Sequence, residues 1–308
     1  AGGPVSYVLA WLVLGLVGAS MLTTPAQIAV TEIAGEKARQ ALGVLILAGG
    51  LTSTIIWPLT GLLQAQWGWR ATVLIYAALM LLVCAPLHWT MLARGPREKS
   101  EAGMEAAPAP IDRPRFALLA MSFAANGFFT WGFALTIIIL FEAGGLDHAG
   151  ALTAAAFIGI AQWAGRLVDI AGGKRLSGFA TGLAASALFP LSFTVLLLTG
   201  SFAGAMVFAT LYGIASGITA VTRATLPLQI FPADAYARAS AQLAVPLNLS
   251  FAAAPPVFAA LMTSAGPQAA LWLAFGISIF AFAALLGLLL LERRRNAAGI
   301  SPAGTARP

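Results

Sequence analysis

The sequence predicts an all-α membrane protein with about nine transmembrane helices, and three observations carry that prediction. The 308-residue chain is 59% hydrophobic and only 9% charged, with a mean hydropathy of +0.88. Its apolar runs are about 20 residues long, the length an α-helix needs to cross a hydrocarbon core of ~30 Å. Its lysines and arginines gather in alternate connections between those runs. Barrel strands would be about half as long and would alternate in polarity. Helices satisfy every backbone polar group within the bilayer, so helices are expected.

The first span is expected at Val5–Val30. It lacks a basic leading segment and is too long for a signal-peptide core, so it reads as a genuine span. Ala41–Leu63 and Thr72–Met91 follow, then Phe116–Phe141, Ala149–Gly165, Leu176–Leu198, Phe202–Val221, Leu243–Met262 and Ala269–Leu291. Pro25, Pro58, Pro190, Pro246, Pro255 and Pro256 fall inside these spans. Each removes a backbone hydrogen bond and permits a kink. The single cysteine, Cys84, sits in an apolar run. It cannot form an intrachain disulfide and reads as a small buried hydrophobe.

The connections sort by charge. Residues 31–40, 92–115, 166–175, 222–242 and the tail after Leu291 hold all of the 17 basic residues except Arg70. Basic residues stay on the cytoplasmic side of a membrane, so Ala1 is expected outside and the tail inside. The isoelectric point near 10.1 then reflects proximity to anionic headgroups. A nucleic-acid surface is not expected, because the charges are dispersed over five short connections.

The stretch Gly165–Arg175 is a polar, glycine-hinged turn between two apolar runs, with four charges within eleven residues. It places Gly165, Leu167, Asp169, Gly172 and Lys174 in the pattern G-x-L-x-D-x-x-G-x-K/R. This resembles the cytoplasmic-loop signature found in each six-helix half of major facilitator superfamily transporters. Ile170 stands where the fuller pattern is often basic. Glycines suit a tight reversal between packed helices, and Asp169 lies before the following span, where it favours the positive helix end. The resemblance implies a gating loop of Gly165, Arg166, Asp169, Gly172, Lys174 and Arg175, whose ion pairs hold the cytoplasmic face shut. A purely topological role for the three basic residues is the alternative.

The longest hydrophilic stretch, residues 93–115, reads as a flexible linker. It separates three spans (residues 1–92) from six (116–292), with a cytoplasmic tail at 293–308. The resembled fold has six and six, so the chain is expected to correspond to helices four to twelve. A weak repeat supports this. Arg39 and Gly68 flank one span, and Arg238 and Gly266 flank another at nearly the same separation, as parallel repeats of the two halves would give. By that repeat, roughly 85 to 100 upstream residues are expected to be missing.

No Asp, Glu, Lys or Arg falls near the midpoint of any expected span, so the default intramembrane functional residue is absent. Arg223 ends its span and reads either as an inside anchor or as a binder of an anionic substrate. In the resembled family the first helix of each triplet lines the central cavity. That implies substrate-path candidates Gln27, Asn126, Trp131 and Tyr212, with Thr24, Thr130 and Thr219. Gln162, Gln242 and Asn248 lie on neighbouring spans. Amides and hydroxyls in membranes also bind helices to one another, at about 0.6 kcal/mol each. Phe123, Phe128, Phe129, Trp131 and Phe133 share one span, but some must face lipid, so no aromatic site is expected. Gly49, Gly50, Pro58 and Gly61 distantly resemble the glycine-proline motif of drug–proton antiporters, with Trp57 where that motif has glycine.

The expected function is therefore secondary transport of a small molecule by alternating access, as an efflux or organic-solute carrier. A non-transporting scaffold or receptor, or an inactive fragment, is the alternative. His88 and His148 lie far apart and no metal-ligand spacing occurs, so neither an enzyme, a metal nor a cofactor is expected. The expected partners are a small-molecule substrate, a proton or other coupling ion, and the lipid bilayer. The chain is expected to be a monomer in a bacterial inner membrane.

Overall fold

The computed structural model describes residues 3–21, 23–92, 110–172 and 178–297. Among them the chain is helical almost throughout. Ten α-helices follow in order: α1 (Pro4–Met21), α2 (Thr23–Ala34), α3 (Ala38–Leu79), α4 (Ala85–Leu92), α5 (Arg113–Ala143), α6 (His148–Gly172), α7 (Gly178–Leu198), α8 (Phe202–Ile230), α9 (Ala233–Ala265) and α10 (Pro267–Ala297). Eight stretches are long and apolar enough to cross a membrane, and Ala38–Gly50 is a shorter apolar helix. Nine spans were expected. The helix at Ala38 nevertheless continues to Gly68, so Ala41–Leu63 lies wholly within it.

The chain divides into two compact units, Ala29–Ala106 and Ala1–Ile28 with Ala107–Pro308. Most of the expected linker, together with Lys174, Arg175 and the last eleven residues, lies outside the described residues.

In the Ala29–Ala106 unit, α3 is two arms. Gly68 breaks it with φ 75° and ψ 167°, a region open essentially only to glycine. The Thr60 hydroxyl and the Tyr76 hydroxyl lie 2.6 Å apart. A straight helix would separate them by about 24 Å, so the arms fold back on each other. Trp67 and Trp69 flank the turn, and the Arg70 guanidinium stacks 4.3 Å from the Trp69 ring centroid. Paired tryptophans beside a basic residue are the usual anchor at a membrane–water boundary. Residues Met80–Cys84 form a π-helical turn just before Pro86. Proline cannot donate to Leu82, and the widened turn absorbs the loss.

In the larger unit, α5–α10 form a six-helix bundle. The principal pairings are α6 with α8, α5 with α9, α7 with α8, and α10 with α5 and α7. Gly266, between α9 and α10, has φ 85° and ψ 169°. That is nearly the conformation of Gly68, so the two glycines matched as a repeat share a backbone shape as well as a position. By contrast, α1 exposes apolar side chains along its length, from Val5 to Val17.

The helices overrun several expected ends. The stretch Gly165–Gly172 is helix, not turn. At 25 residues, α6 measures about 37 Å and can pass beyond the hydrocarbon while keeping its own hydrogen bonds. Likewise α8 continues past Val221 to Ile230 and α9 begins at Ala233. Only Phe231 and Pro232 remain of the expected loop 222–242. Residues 113–115, expected in the linker, begin α5, and 293–297, expected in the tail, end α10. Ion pairs account for both extensions. Asp112 caps α5 by accepting from the Arg115 backbone N–H and pairs with Arg295. Arg115 is buried and pairs with Glu292 of α10, with Nε to Oε1 2.6 Å and a hydrogen bond from its terminal nitrogen to Oε2 of 2.9 Å.

Candidate functional site

The signature residue Gly165 has a packing role. A methyl group there would lie 2.5 Å from the Ile214 carbonyl oxygen of α8. Opposite, a methyl on Gly213 would meet the Ala161 side chain at 2.5 Å and the Ile158 carbonyl at 2.7 Å. One on Gly217 would run into the Gln162 carbonyl oxygen and lie 3.0 Å from the Arg166 nitrogen. Gly213 and Gly217 are four residues apart, the small-xxx-small spacing that lets membrane helices approach backbone to backbone. The Gln162 side-chain amide donates to the Ser216 hydroxyl at 2.8 Å and adds a polar tie to the seam. At the end of α6, Asp169 is 7% exposed. Both Asp169 and Arg166 hold interactions.

Helix α5 meets α9 differently. A methyl on Gly127 would meet the Leu247 and Phe251 side chains at 2.7 Å, and one on Gly132 would strike the Phe258 ring. Here glycine makes slots for side chains. Trp131 is exposed and lies 5.2 Å from Phe251, ring centroid to centroid.

Helices α5, α7 and α8 share an aromatic core of Phe129, Phe133, Phe189, Phe193, Phe208 and Tyr212, all buried. Phe129 sits edge-on to Phe189 at 4.9 Å, and Phe133 edge-on to Phe193 at 5.2 Å. Phe208 and Tyr212 stack at 5.2 Å. Lipid tails are as apolar as these rings, so exclusion from water contributes little here. The specific ring geometries, about 0.5–1.5 kcal/mol each, weigh correspondingly more. No aromatic cluster was expected from the sequence. The signal was present on three spans at once: Phe129 and Phe133, Phe189 and Phe193, and Phe208 and Tyr212 are each four residues apart, hence on one helix face.

Beside this core lies a polar pair. The Arg223 guanidinium of α8 donates from a terminal nitrogen to Oδ1 of Asn126 of α5 at 2.9 Å. Asn126 is 4% exposed, and the Arg223 Nε is buried with no hydrogen-bond partner among the described residues. Tyr212 lies within electrostatic reach of the guanidinium. The α8 helix therefore does not end at Arg223. That arginine lies seven residues before the C-terminal residue of α8, Ile230, and bonds inward. Tyr212, Thr219 and Arg223 recur at helical spacing on one face of α8.

The remaining candidates are scattered. Gln27 is half-buried on α2 and holds an interaction. Asn248 is exposed on α9. The Thr130 hydroxyl donates to the Asn126 carbonyl at 2.7 Å. Among the described residues no group of three metal-ligating side chains occurs. The pair from Arg115 to Glu292 and the pair from Asp112 to Arg295 went unnoticed in the sequence, where Arg115 and Arg295 read only as inside charge.

Comparison with curated proteins finds no match to this chain. The family model described as Major Facilitator Superfamily matches residues 2–165, just over half of a chain whose described residues form apolar helices of membrane-crossing length. The chain belongs to the major facilitator superfamily and is a multi-pass membrane transporter.

Proposed function

We propose that the chain is a secondary transporter that moves a small molecule by alternating access, with α6 and α8 travelling as one rigid body. The supporting observation is the α6–α8 seam. Its glycines bring backbone against backbone, and close-packed contacts of that kind resist sliding. A movement at the signature end of α6, where Asp169 is buried, is then transmitted to α8 and its Arg223–Asn126 contact. The α5–α9 seam, filled by side chains and flanked by Pro246, Pro255 and Pro256 inside α9, is where the bundle can yield.

In this reading the residues before the linker and the six helices after it act as two bundles. Lys174 and Arg175 work with Asp169 in the gate. The charge bias supports an N-terminus outside and a C-terminus in the cytoplasm, in a bacterial inner membrane. A monomer suffices, since the path runs within one chain. An organic solute is the expected cargo, with a proton or other ion as the coupling partner.

The test is transport in proteoliposomes, using a panel of labelled small molecules under imposed proton, sodium and potassium gradients. Wild-type protein should move at least one of them. Asp169→Asn should lower that rate at least tenfold at equal incorporation. Wild-type rates in the variant would remove the gating role. No movement of any compound under any gradient would overturn the transporter mechanism in favour of a scaffold.

A further inference from the structure

We infer that the Arg223–Asn126 pair is a binding point for an oxyanion, so that the cargo is a small organic anion carrying a carboxylate or a phosphate. The inference rests on the transport reading above and names the substrate class of its central site.

Arg223 carries a full charge inside a membrane helix. Arginine does not lose its proton in proteins. The residue is half-buried, but its Nε is shut away from water, where an uncompensated charge is costly. Such residues normally find a counter-charge or serve a function. Ion pairs among the described residues include Arg115 with Glu292, Arg295 with Asp112, and His148 with Glu142. Arg223 is in none of them. Among the described residues its one hydrogen-bond partner is the neutral Asn126 amide, and its buried Nε donates to none of them.

Snorkelling to the headgroups does not account for this. Arg223 lies seven residues inside α8, about 10 Å from the helix end. Its guanidinium reaches Asn126, thirteen residues into α5, about 20 Å from that helix's start. The head group is thus turned inward. The amide oxygen fixes one edge of the guanidinium without neutralising it. The remaining donors form the planar fork that matches carboxylate and phosphate oxygens two at a time. A site intended for a cation or a neutral solute would gain nothing from an uncompensated positive charge.

The key variant is Asn126→Asp. It installs a carboxylate against the guanidinium and should raise the thermal midpoint of the purified protein in detergent, because Arg223 gains its missing counter-charge. The same variant should abolish anion binding. The probes are inorganic phosphate, glycerol phosphate, benzoate, succinate and citrate, read by saturable thermal shift on the wild-type chain. At least one should bind, and Arg223→Gln should weaken it at least tenfold, while Arg223→Lys should retain part of it. If phosphate and glycerol phosphate bind and the carboxylates do not, the oxyanion is a phosphate; the reverse pattern assigns a carboxylate. A lowered midpoint in Asn126→Asp, or failure of the wild type to bind every probe, overturns the inference. Transport of neutral or cationic compounds that Arg223→Gln leaves unchanged would also overturn it while leaving the transporter reading intact.

Discussion

The α6–α8 and α5–α9 seams both run helix against helix through glycine, yet an added methyl meets different things in each. On α8, a methyl at Gly217 meets the backbone of Gln162 and Arg166. On α5, a methyl at Gly127 meets the tips of Leu247 and Phe251. Backbone held in a helix has nowhere to go, whereas a side-chain tip can change rotamer. The same residue type therefore builds a rigid joint in one place and a yielding one in another. The difference lies in what faces it, not in the glycine.

The largest expected effect follows directly. Gly217→Ala should cost more than 3 kcal/mol, the upper range for overpacking, and should appear as loss of folded protein on size-exclusion chromatography in detergent. Tolerance of that change would show that α6 and α8 are not held backbone to backbone at this point. Next is the clamp that holds α5 to α10. Glu292→Ala leaves the mostly buried Arg115 without its partner and should cost about 3 kcal/mol, measured by thermal or denaturant unfolding. A double cycle with Arg115→Ala should recover most of that loss as coupling. Gly132→Ala should be milder, about 1–2 kcal/mol, since a side-chain ring and not backbone must give way; it still costs, because that ring, Phe258, is fully buried. Gly127→Ala should be near neutral, because the gain of about 1 kcal/mol in helix propensity offsets a small side-chain adjustment. Gly159→Ala, on α6 itself but with nothing within 4 Å, should not destabilise at all and so separates seam glycines from incidental ones.

The sequence disclosed the helices better than their ends or their contacts. Hydropathy located the spans because the bilayer demands apolar length. It could not see that Gly165–Gly172, residues 113–115 and residues 293–297 continue as helix, because a helix outside the hydrocarbon is free to be polar. The match of Gly68 to Gly266 was legible as spacing, and the shared positive-φ conformation gives it a physical basis. Asn126 and Arg223 were each candidates, but a hydrogen bond across 97 residues of sequence belongs to tertiary structure and no local pattern announces it. Gln162 shows the opposite case. It read as a substrate-path residue, and the described geometry joins it to Ser216 across the seam.

The central claim is that the two seams behave differently while the protein works. Its most direct test is a pair of spin-label distance measurements in a Cys84→Ser background, reconstituted in lipid, with and without a bound oxyanion. One pair spans the rigid seam at the exposed positions Leu152 and Val207, and the other spans the yielding seam at the exposed positions Met121 and Val245. The distance across α6–α8 should stay narrow and unchanged, and the distance across α5–α9 should shift on binding. A shift across α6–α8 with α5–α9 fixed would contradict the claim.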